Sequence, residues 1–227
     1  MFGCKVDVRS MEDRVKRLEA YPVEKGRILF YGHSLFTRCS VEPINHWGHP
    51  VLEDSVLAKD GSKACLNHGF GSSCAEHLLY YYNRLVTPYE PRALVLATGG
   101  NDFGRGYSPE EVMFLTARVI EYFQADFPGA PVYLFTYDPS VKGKGAKTSV
   151  RFLRRYFDEM VEEYCRTREG CTAVRLIDQP FYFDDPADIG DYDKIREDIF
   201  DTDQNHLNTK GYEMFMDFLR NLLEDIL

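Results

Sequence analysis

The sequence predicts a three-layer α/β/α sandwich, in which helices cover both faces of a central parallel sheet of about five strands. Short apolar runs, typical of strands buried on both faces of a parallel sheet, occur at 28–31, 64–67, 93–98, 132–136 and 173–177. Stretches with helical spacing of apolar residues lie between most of these runs. Because strands that alternate with helices are joined by crossovers, we expect neighbouring strands to be parallel.

The predicted helices cover residues 11–20, 51–59, 74–86, 109–127, 149–166 and 208–227. Proline at position 109 suits the first turn of the fourth of them. The length of 227 residues is enough for a substantial core. We therefore predict a single domain over 1–227, with an N-terminal helical extension at 1–25 and an irregular acidic loop at 178–202.

The charge of the chain is concentrated in one place. The net charge is −9, and residues 178–203 alone hold ten acidic side chains against Lys194 and Arg196. A basic stripe that could follow a nucleic-acid backbone is missing from the sequence, so we expect no nucleic-acid partner. The acidic loop exceeds the usual loop length, which predicts a lid, a binding loop or a disordered, solvated face.

The cellular compartment is predicted from the N-terminus and the cysteines. The first twenty residues lack the apolar core of a signal peptide, and no later run is long enough to span a bilayer. The six cysteines show no CxxC spacing in a chain too long to need disulfides. We therefore expect reduced thiols, a cytoplasmic location and no membrane insertion. The oligomeric state is left open.

Polar residues suited to acyl transfer follow four of the predicted strands, at the end where open α/β sheets bind ligands. Ser34 follows the first strand and could act as a nucleophile. The backbone near Gly71 and Ser72 and the amide of Asn101 follow the second and third strands, and they could stabilise an oxyanion.

Asp203 and His206 lie three residues apart before the last helix. One turn could therefore hold His206 as a base and Asp203 as the carboxylate that orients it. Taken singly, these residues have structural interpretations: Ser34 or Asp203 could cap a helix, and Asp201 is a rival partner for the imidazole. The nucleophile motif of the α/β-hydrolases, G-x-S-x-G, is excluded, because Phe36 occupies the position of its last glycine.

Together, four blocks in this order resemble the SGNH hydrolases, the GDSL-type esterases and lipases. The blocks are GHS at 32–34, NHGFGSS at 67–73, GGND at 99–102 and DQNH at 203–206, and the similarity covers about 27–211. The resemblance implies the flavodoxin-like SGNH fold. It also implies Ser34 as nucleophile, His206 as base, Asp203 as its orienting carboxylate, and no cofactor or metal.

The resemblance further implies that Gly71, Ser72 and Asn101 form the oxyanion hole. Two positions differ from the family pattern: His33 replaces the usual aspartate beside the nucleophile, and Ser72 replaces the second glycine of the second block. A backbone N–H survives a change from glycine to serine where φ permits. His33, Trp47 and Phe70 are the predicted substrate-binding residues.

These observations predict a serine esterase that hydrolyses short-chain acyl esters, acetyl esters foremost, of small molecules such as carbohydrates. The alternatives are an impaired binding protein with the same fold, an acyltransferase, and a lysophospholipase or lipase. If the acidic loop overhangs the site, anionic substrates should be disfavoured.

Three further sets of residues are predicted to lack a cofactor role. Histidines 46, 49, 68 and 77 match no compact zinc spacing, and we expect them on the surface or in the pocket. The acidic loop lacks the ligand order of an EF-hand. The KGKG run at 142–145 is not followed by the residues of a P-loop, so we predict a flexible loop at the rim of the pocket.

Overall fold

In a computed structural model, which describes residues 4–145 and 148–227, five strands form one parallel sheet. They are β1 (Ile28–Gly32), β2 (Cys65–Gly69), β3 (Ala93–Ala97), β4 (Val132–Phe135) and β5 (Cys171–Val174). The strand order is β2-β1-β3-β4-β5, and each neighbouring pair is parallel. The predicted parallel sheet of five strands is confirmed.

The described part of the chain forms eight helices that connect or flank these strands. They are α1 (Glu12–Glu19), α2 (Ser34–Thr37), α3 (Leu52–Ser55), α4 (Ala75–Leu85), α5 (Gly100–Gly104), α6 (Pro109–Asp126), α7 (Thr148–Arg166) and α8 (Thr209–Leu222). Local sequence explains their ends. At the start of α6, for example, the Ser108 hydroxyl accepts from Glu111 N–H while the Glu111 carboxylate accepts from Ser108 N–H.

The strands alternate their side chains between two apolar cores, as the period of two requires. Leu29 and Tyr31 of β1 pack on one face of the sheet with α1, α4, α6 and α7. Ile28 and Phe30 of the same strand pack on the other face with α2, α3 and α8. The residues of β1, β2 and β3 are buried throughout, which explains why they appear in the sequence as continuous apolar runs. The three-layer α/β/α prediction is therefore confirmed.

Two predicted elements are shorter than their apolar patterns. The helix predicted over 51–59 ends at Ser55, because Asp60 and Gly61 form a turn that pairs Leu57 with Lys63 in an antiparallel bridge. The strand predicted over 173–177 starts at Cys171 and ends at Val174. Leu176 and Ile177 beyond it are buried in a 3₁₀ turn, so their apolar character reflects burial rather than strand pairing.

The acidic segment 178–202 forms a series of short turns packed on α8. Tyr182, Ile195 and Ile199 are buried in the same core as that helix. Several of its carboxylates form ion pairs at the surface, such as Asp198 with Arg196 at 2.6 Å. The described part of the KGKG run contacts this segment as well. Lys144 Nζ lies 2.9 Å from Glu197 Oε1, and Gly145 N–H donates to Asp193 Oδ1.

The strand order places one crevice at the centre of the sheet. The chain moves outward from β1 to β2 on one side and continues through β3, β4 and β5 on the other, so the order reverses between β1 and β3. Ligands of open α/β sheets bind outside the carboxyl ends of the strands at such a switch point. The segments that follow β1, β2 and β3 therefore meet at one edge.

The described residues include no helix that is long and apolar enough to cross a membrane. All six cysteines are free thiols, and two of them, Cys165 and Cys171, place their sulfur atoms 2.9 Å apart. The predicted cytoplasmic location stays a prediction.

Candidate active site

Helix α2 begins at Ser34, two residues after the last residue of β1. Gly32 is needed there, because a Cβ on it would lie 2.7 Å from the Ala97 carbonyl oxygen. His33 caps the short helix: Leu35 N–H donates to its Nδ1 at 3.4 Å. An accepting Nδ1 leaves the ring proton on Nε2, which lies 3.8 Å from Asp138 Oδ1. The imidazole thus takes the capping role that a carboxylate could take at this position.

His206 lies between Asp203 and Ser34. Its Nε2 is 2.9 Å from Ser34 Oγ, and its Nδ1 is 2.6 Å from Asp203 Oδ2. The other carboxylate oxygen of Asp203 accepts from the N–H groups of Asn205 and His206, both at 2.9 Å. The structure therefore brings together three of the predicted residues in a hydrogen-bonded chain from carboxylate to hydroxyl.

Three residues at the start of α8 hold the Asp203–His206 turn in place. Asn208 caps the helix by accepting from Gly211 N–H, and its amide donates to the carbonyls of Asp198 and Phe200. Gly211 packs so closely that a Cβ there would collide with Ile199 O. The Tyr212 hydroxyl donates to Leu35 O at 3.0 Å, which ties this helix to α2, the helix that begins at Ser34.

The Asp203 carboxylate is held in its charged form. Partial burial by itself raises the pKa of Asp203, but hydrogen bonds from the His206 main chain and imidazole and from Asn205 N–H outweigh it. The pKa of Asp203 therefore lies well below its usual range. A carboxylate that stays ionised can orient the imidazole and stabilise its protonated form.

Asp201, the rival partner of the imidazole, has a different role. Its carboxylate accepts from Thr202 N–H at 2.7 Å and pairs with Arg38 at 2.9 Å. Its main chain pairs with that of His206, since Asp201 N–H donates to His206 O. Asp203 is the carboxylate that contacts the ring.

Arg38, which no sequence motif singled out, links α2 to the Asp203–His206 turn. Its guanidinium donates to both Asp201 and Asp203, at 2.9 and 3.0 Å, and lies 4.9 Å from the Trp47 ring centroid. The side chain is only 11% exposed. A sequence signal existed: Arg38 follows Ser34 by four residues and so lies on the same side of a helical turn.

The predicted oxyanion donors Gly71, Ser72 and Asn101 line the same cleft as Ser34. A Cβ placed on Gly71 would be 4.0 Å from Ser34 Cβ. Within 4–145 and 148–227, the N–H groups of Gly71 and Ser72 donate to no other protein group. Ser72 adopts φ +64°, a left-handed conformation that costs a non-glycine residue about 1 kcal/mol. The Asn101 amide donates to Ser73 O at 3.0 Å, which leaves its second N–H for a ligand.

Asp102 and Asn67, from the two glycine-rich blocks, hold loops rather than line the cleft. Asp102 is fully buried and accepts from the N–H groups of Ala75 and Gly99. Burial raises the pKa of Asp102 to about 6. The Asn67 amide donates to Phe36 O, joining the end of β2 to α2.

A cleft of about 400 Å³ opens above Ser34 and His206. This volume is in the range of small-molecule sites. Trp47 and Phe70, predicted to bind substrate, line it. His33 does not, because its side chain is buried. The described lining residues include none from 142–145 or 178–202, so neither loop forms the predicted rim or lid. No sequence pattern predicted the other lining residues, namely Arg14, Arg17, Leu18, Thr37, Arg38, Pro43 and Ile44.

Of the four remaining histidines, His46 takes a pocket position as predicted, and the other three do not. Only His46 lines the cleft, with its ring centroid 3.7 Å from that of Trp47. His49, His68 and His77 are buried. Burial lowers the pKa of His68 to about 4, and its Nδ1 contacts Leu85 O at 2.6 Å. Over the described ranges, no three His, Cys, Asp or Glu side chains form a group that could hold a metal ion.

Comparison with known proteins places this site in a family context. The model of the GDSL-like lipase/acylhydrolase family matches residues 30–214, which include all four motif blocks. A search of the curated proteins finds no match.

Several solved structures share the fold at low sequence identity. A GDSL-like lipase from Bacteroides thetaiotaomicron is 15% identical, with 97% of this chain and 100% of that chain covered and a TM-score of 0.68. A catalytic mutant of Axe2, an acetylxylan esterase from Geobacillus stearothermophilus, is 14% identical over 88% and 94% of the two chains, with a TM-score of 0.64. The esterase EstA from Pseudoalteromonas sp. is 17% identical over 88% and 98%, with a TM-score of 0.63.

Proposed function

Because the chain belongs to the GDSL-like lipase/acylhydrolase family, we propose that it is a serine esterase that uses Ser34, His206 and Asp203. One observation carries the proposal: the imidazole of His206 contacts the Ser34 hydroxyl and the Asp203 carboxylate at 2.9 and 2.6 Å, at the base of an open cleft. A nucleophile, a base and an orienting carboxylate in hydrogen-bond contact are the groups that acyl transfer needs.

The reaction proceeds in two halves. Ser34 Oγ attacks the ester carbonyl while His206 Nε2 takes its proton, and the N–H groups of Gly71 and Ser72 and the Asn101 amide stabilise the oxyanion. His206 then returns the proton to the leaving alcohol, and the acyl group stays on Ser34. Water attacks this acyl-enzyme with His206 again as base, and the acid is released.

The two departures from the family pattern leave the proposed machinery intact. His33 keeps a capping hydrogen bond to α2 through Nδ1. Ser72 adopts the left-handed conformation that a glycine would take more easily, so its N–H can still face the cleft. These observations favour an active enzyme over an impaired binding protein.

We propose short acyl esters, acetyl esters foremost, as the substrates. The cleft of about 400 Å³ suits a small ester better than a long chain. One structure with the same fold is that of an acetylxylan esterase, which supports acetylated carbohydrates as the first class to screen.

The test compares p-nitrophenyl acetate and octanoate as substrates. We expect measurable acetate turnover and slower octanoate turnover, and we expect Ser34→Ala to lower kcat by at least about 10⁴-fold. Ser62→Ala removes an exposed hydroxyl outside the cleft and serves as the control. Full acetate turnover by Ser34→Ala would refute the serine mechanism. An organophosphonate that modifies wild type but not Ser34→Ala would support it independently.

A further inference from the structure

Two arginines on the N-terminal helix α1 line the cleft. Arg14 and Arg17 are both exposed and three residues apart, so their side chains project from the same face of the helix. In the part of the chain that the structure describes, neither guanidinium forms an ion pair or hydrogen bond. Two cations at the mouth of a proposed active site are therefore available to a ligand.

Arg14 lies close to the reacting groups. Its Nη1 is 3.6 Å from the position of a Cβ on Gly71, and that same position is 4.0 Å from Ser34 Cβ. The guanidinium is thus separated from the nucleophile by no more than the length of a small acyl or alcohol group. A charged group on such a substrate would reach it while the ester lies against Ser34.

The three acidic residues of α1 form no ion pair with these two arginines. Glu12 and Glu19 both bind Arg84 of α4, at 2.8 and 2.6 Å. Asp13, the third, forms no ion pair or hydrogen bond with any described residue. The side chains of Arg14 and Arg17 are therefore left facing the cleft.

The rest of the cleft does not neutralise them either. Arg38, the third lining arginine, is already paired with Asp201 and Asp203. Among the described residues, no Asp or Glu lines the cleft. Although the chain has a net charge of −9, the described lining of its proposed active site includes two arginines that form no ion pair.

We propose that the cleft selects esters that carry a second, anionic group, a carboxylate or a phosphate, and that Arg14 and Arg17 bind this group. The planar guanidinium fork matches both kinds of anion. The proposal rests on the proposed esterase function and specifies its substrate class. It reverses the expectation from sequence that anionic substrates are disfavoured, because the acidic segment 178–202 does not reach the described cleft.

The anion can belong to the alcohol or to the acyl part of the ester, and two matched substrate pairs separate these cases. The first pair is 3-acetoxybenzoate and its neutral amide, 3-acetoxybenzamide. The second is mono-p-nitrophenyl adipate and its neutral methyl ester. For at least one pair we expect kcat/KM to favour the anionic member by about tenfold or more at low ionic strength. High salt should reduce this preference, because the arginines are exposed.

Variants assign the preference to the two arginines. We expect Arg14→Gln and Arg17→Gln each to lower the anionic-to-neutral ratio of kcat/KM by about fivefold, and the double variant to lower it further. Lys16→Gln is the matched control: it removes one positive charge from the same helix, at a side chain that is 65% exposed and outside the cleft. That variant should keep the wild-type ratio.

The outcomes separate this proposal from the esterase proposal. Ser34-dependent turnover with a ratio near one in both pairs overturns anion selection alone, and an unchanged ratio in the double variant overturns the assignment to the arginines. If no ester is turned over, binding of both pairs to Ser34→Ala by calorimetry still decides. Tighter binding of the anionic member of either pair, lost when Arg14→Gln is added, supports anion selection, and equal binding within both pairs overturns it.

Discussion

At the scale of single residues, the proposed base is held from two directions. Asp203 accepts three hydrogen bonds from its own turn and a fourth from Arg38, so its orientation depends on α2 as well as on the loop before α8. Arg38 in turn is fixed by Asp201 and covered by Trp47. The guanidinium therefore holds the Asp203–His206 turn against the end of α2, where Arg38 follows Ser34 by four residues.

We expect Arg38→Gln to lower kcat for p-nitrophenyl acetate by about tenfold with a smaller change in KM, because the Asp203–His206 pair loses its external support. Arg155→Gln removes an equal charge from an exposed ion pair with Glu159 and is the control. Steady-state kinetics on the three proteins checks this. A change confined to KM would show that Arg38 binds substrate rather than positions the base.

At the scale of elements, the site depends on how closely α8 approaches the acidic segment. Gly211 allows the helix to start against the backbone of Ile199, and Asn208 binds the carbonyls on either side of that contact. The acidic segment thus supports the Asp203–His206 turn and does not cover the cleft. Its buried Tyr182 and Ile199 pack in the core shared with α8.

Gly211→Ala should destabilise the protein by about 2 kcal/mol and reduce esterase activity, because the new methyl group meets a backbone oxygen that cannot rotate away. Gly104→Ala is the matched control: it also adds a methyl group to a helical glycine, but nothing lies within 4 Å of its Cβ. Urea unfolding and kcat/KM for both variants test this. Equal stability of the two variants would contradict the close contact.

At the scale of the whole molecule, charge is divided between two regions. The acidic segment carries most of the net negative charge and faces solvent, while the cleft is lined by arginines. A cleft of one sign raises the local concentration of ligands of the opposite sign and speeds their association. The overall charge of −9 therefore does not indicate the charge of the preferred substrate.

Global stability should depend on two buried carboxyl groups. Burial raises the pKa of Asp158 to about 7 and that of Asp102 to about 6, against an ordinary value of 3.8. At pH values between 3.8 and these raised pKa values, the two carboxyl groups keep their protons in the folded protein and have lost them in the unfolded chain. The free energy of unfolding should therefore fall as pH rises from about 4 to 7 and level off above that.

Asp158→Asn should weaken this fall and make the protein about 1 to 3 kcal/mol more stable than wild type near pH 8. The amide can keep both contacts of Asp158, with Tyr137 N–H and the Tyr192 hydroxyl. Asp217→Asn, at a 67% exposed side chain, is the control and should leave the slope unchanged. A wild-type stability that rises with pH over this interval would show that another group dominates.

The sequence by itself determined the layered fold and the proposed catalytic groups. Apolar runs buried on both sides of a strand have a local signature, and Ser34, Asn101, Asp203 and His206 stand in short motifs whose order follows the strands. Such features depend on residues close together in the chain, so they can be read without coordinates. The end of α3 at Ser55 was not predicted, because the apolar pattern continues to 59 although a turn at Asp60 and Gly61 pairs Leu57 with Lys63.

Only the tertiary structure decided which side chains surround the proposed nucleophile. Arg14 and Arg17 precede Ser34 by many residues and belong to no motif, and they reach the cleft because α1 packs on the same side of the sheet as α4. His33 is adjacent to Ser34 in sequence and is nevertheless buried away from the cleft. Packing sets these positions, because side-chain direction depends on the elements that a residue meets and not on its distance along the chain.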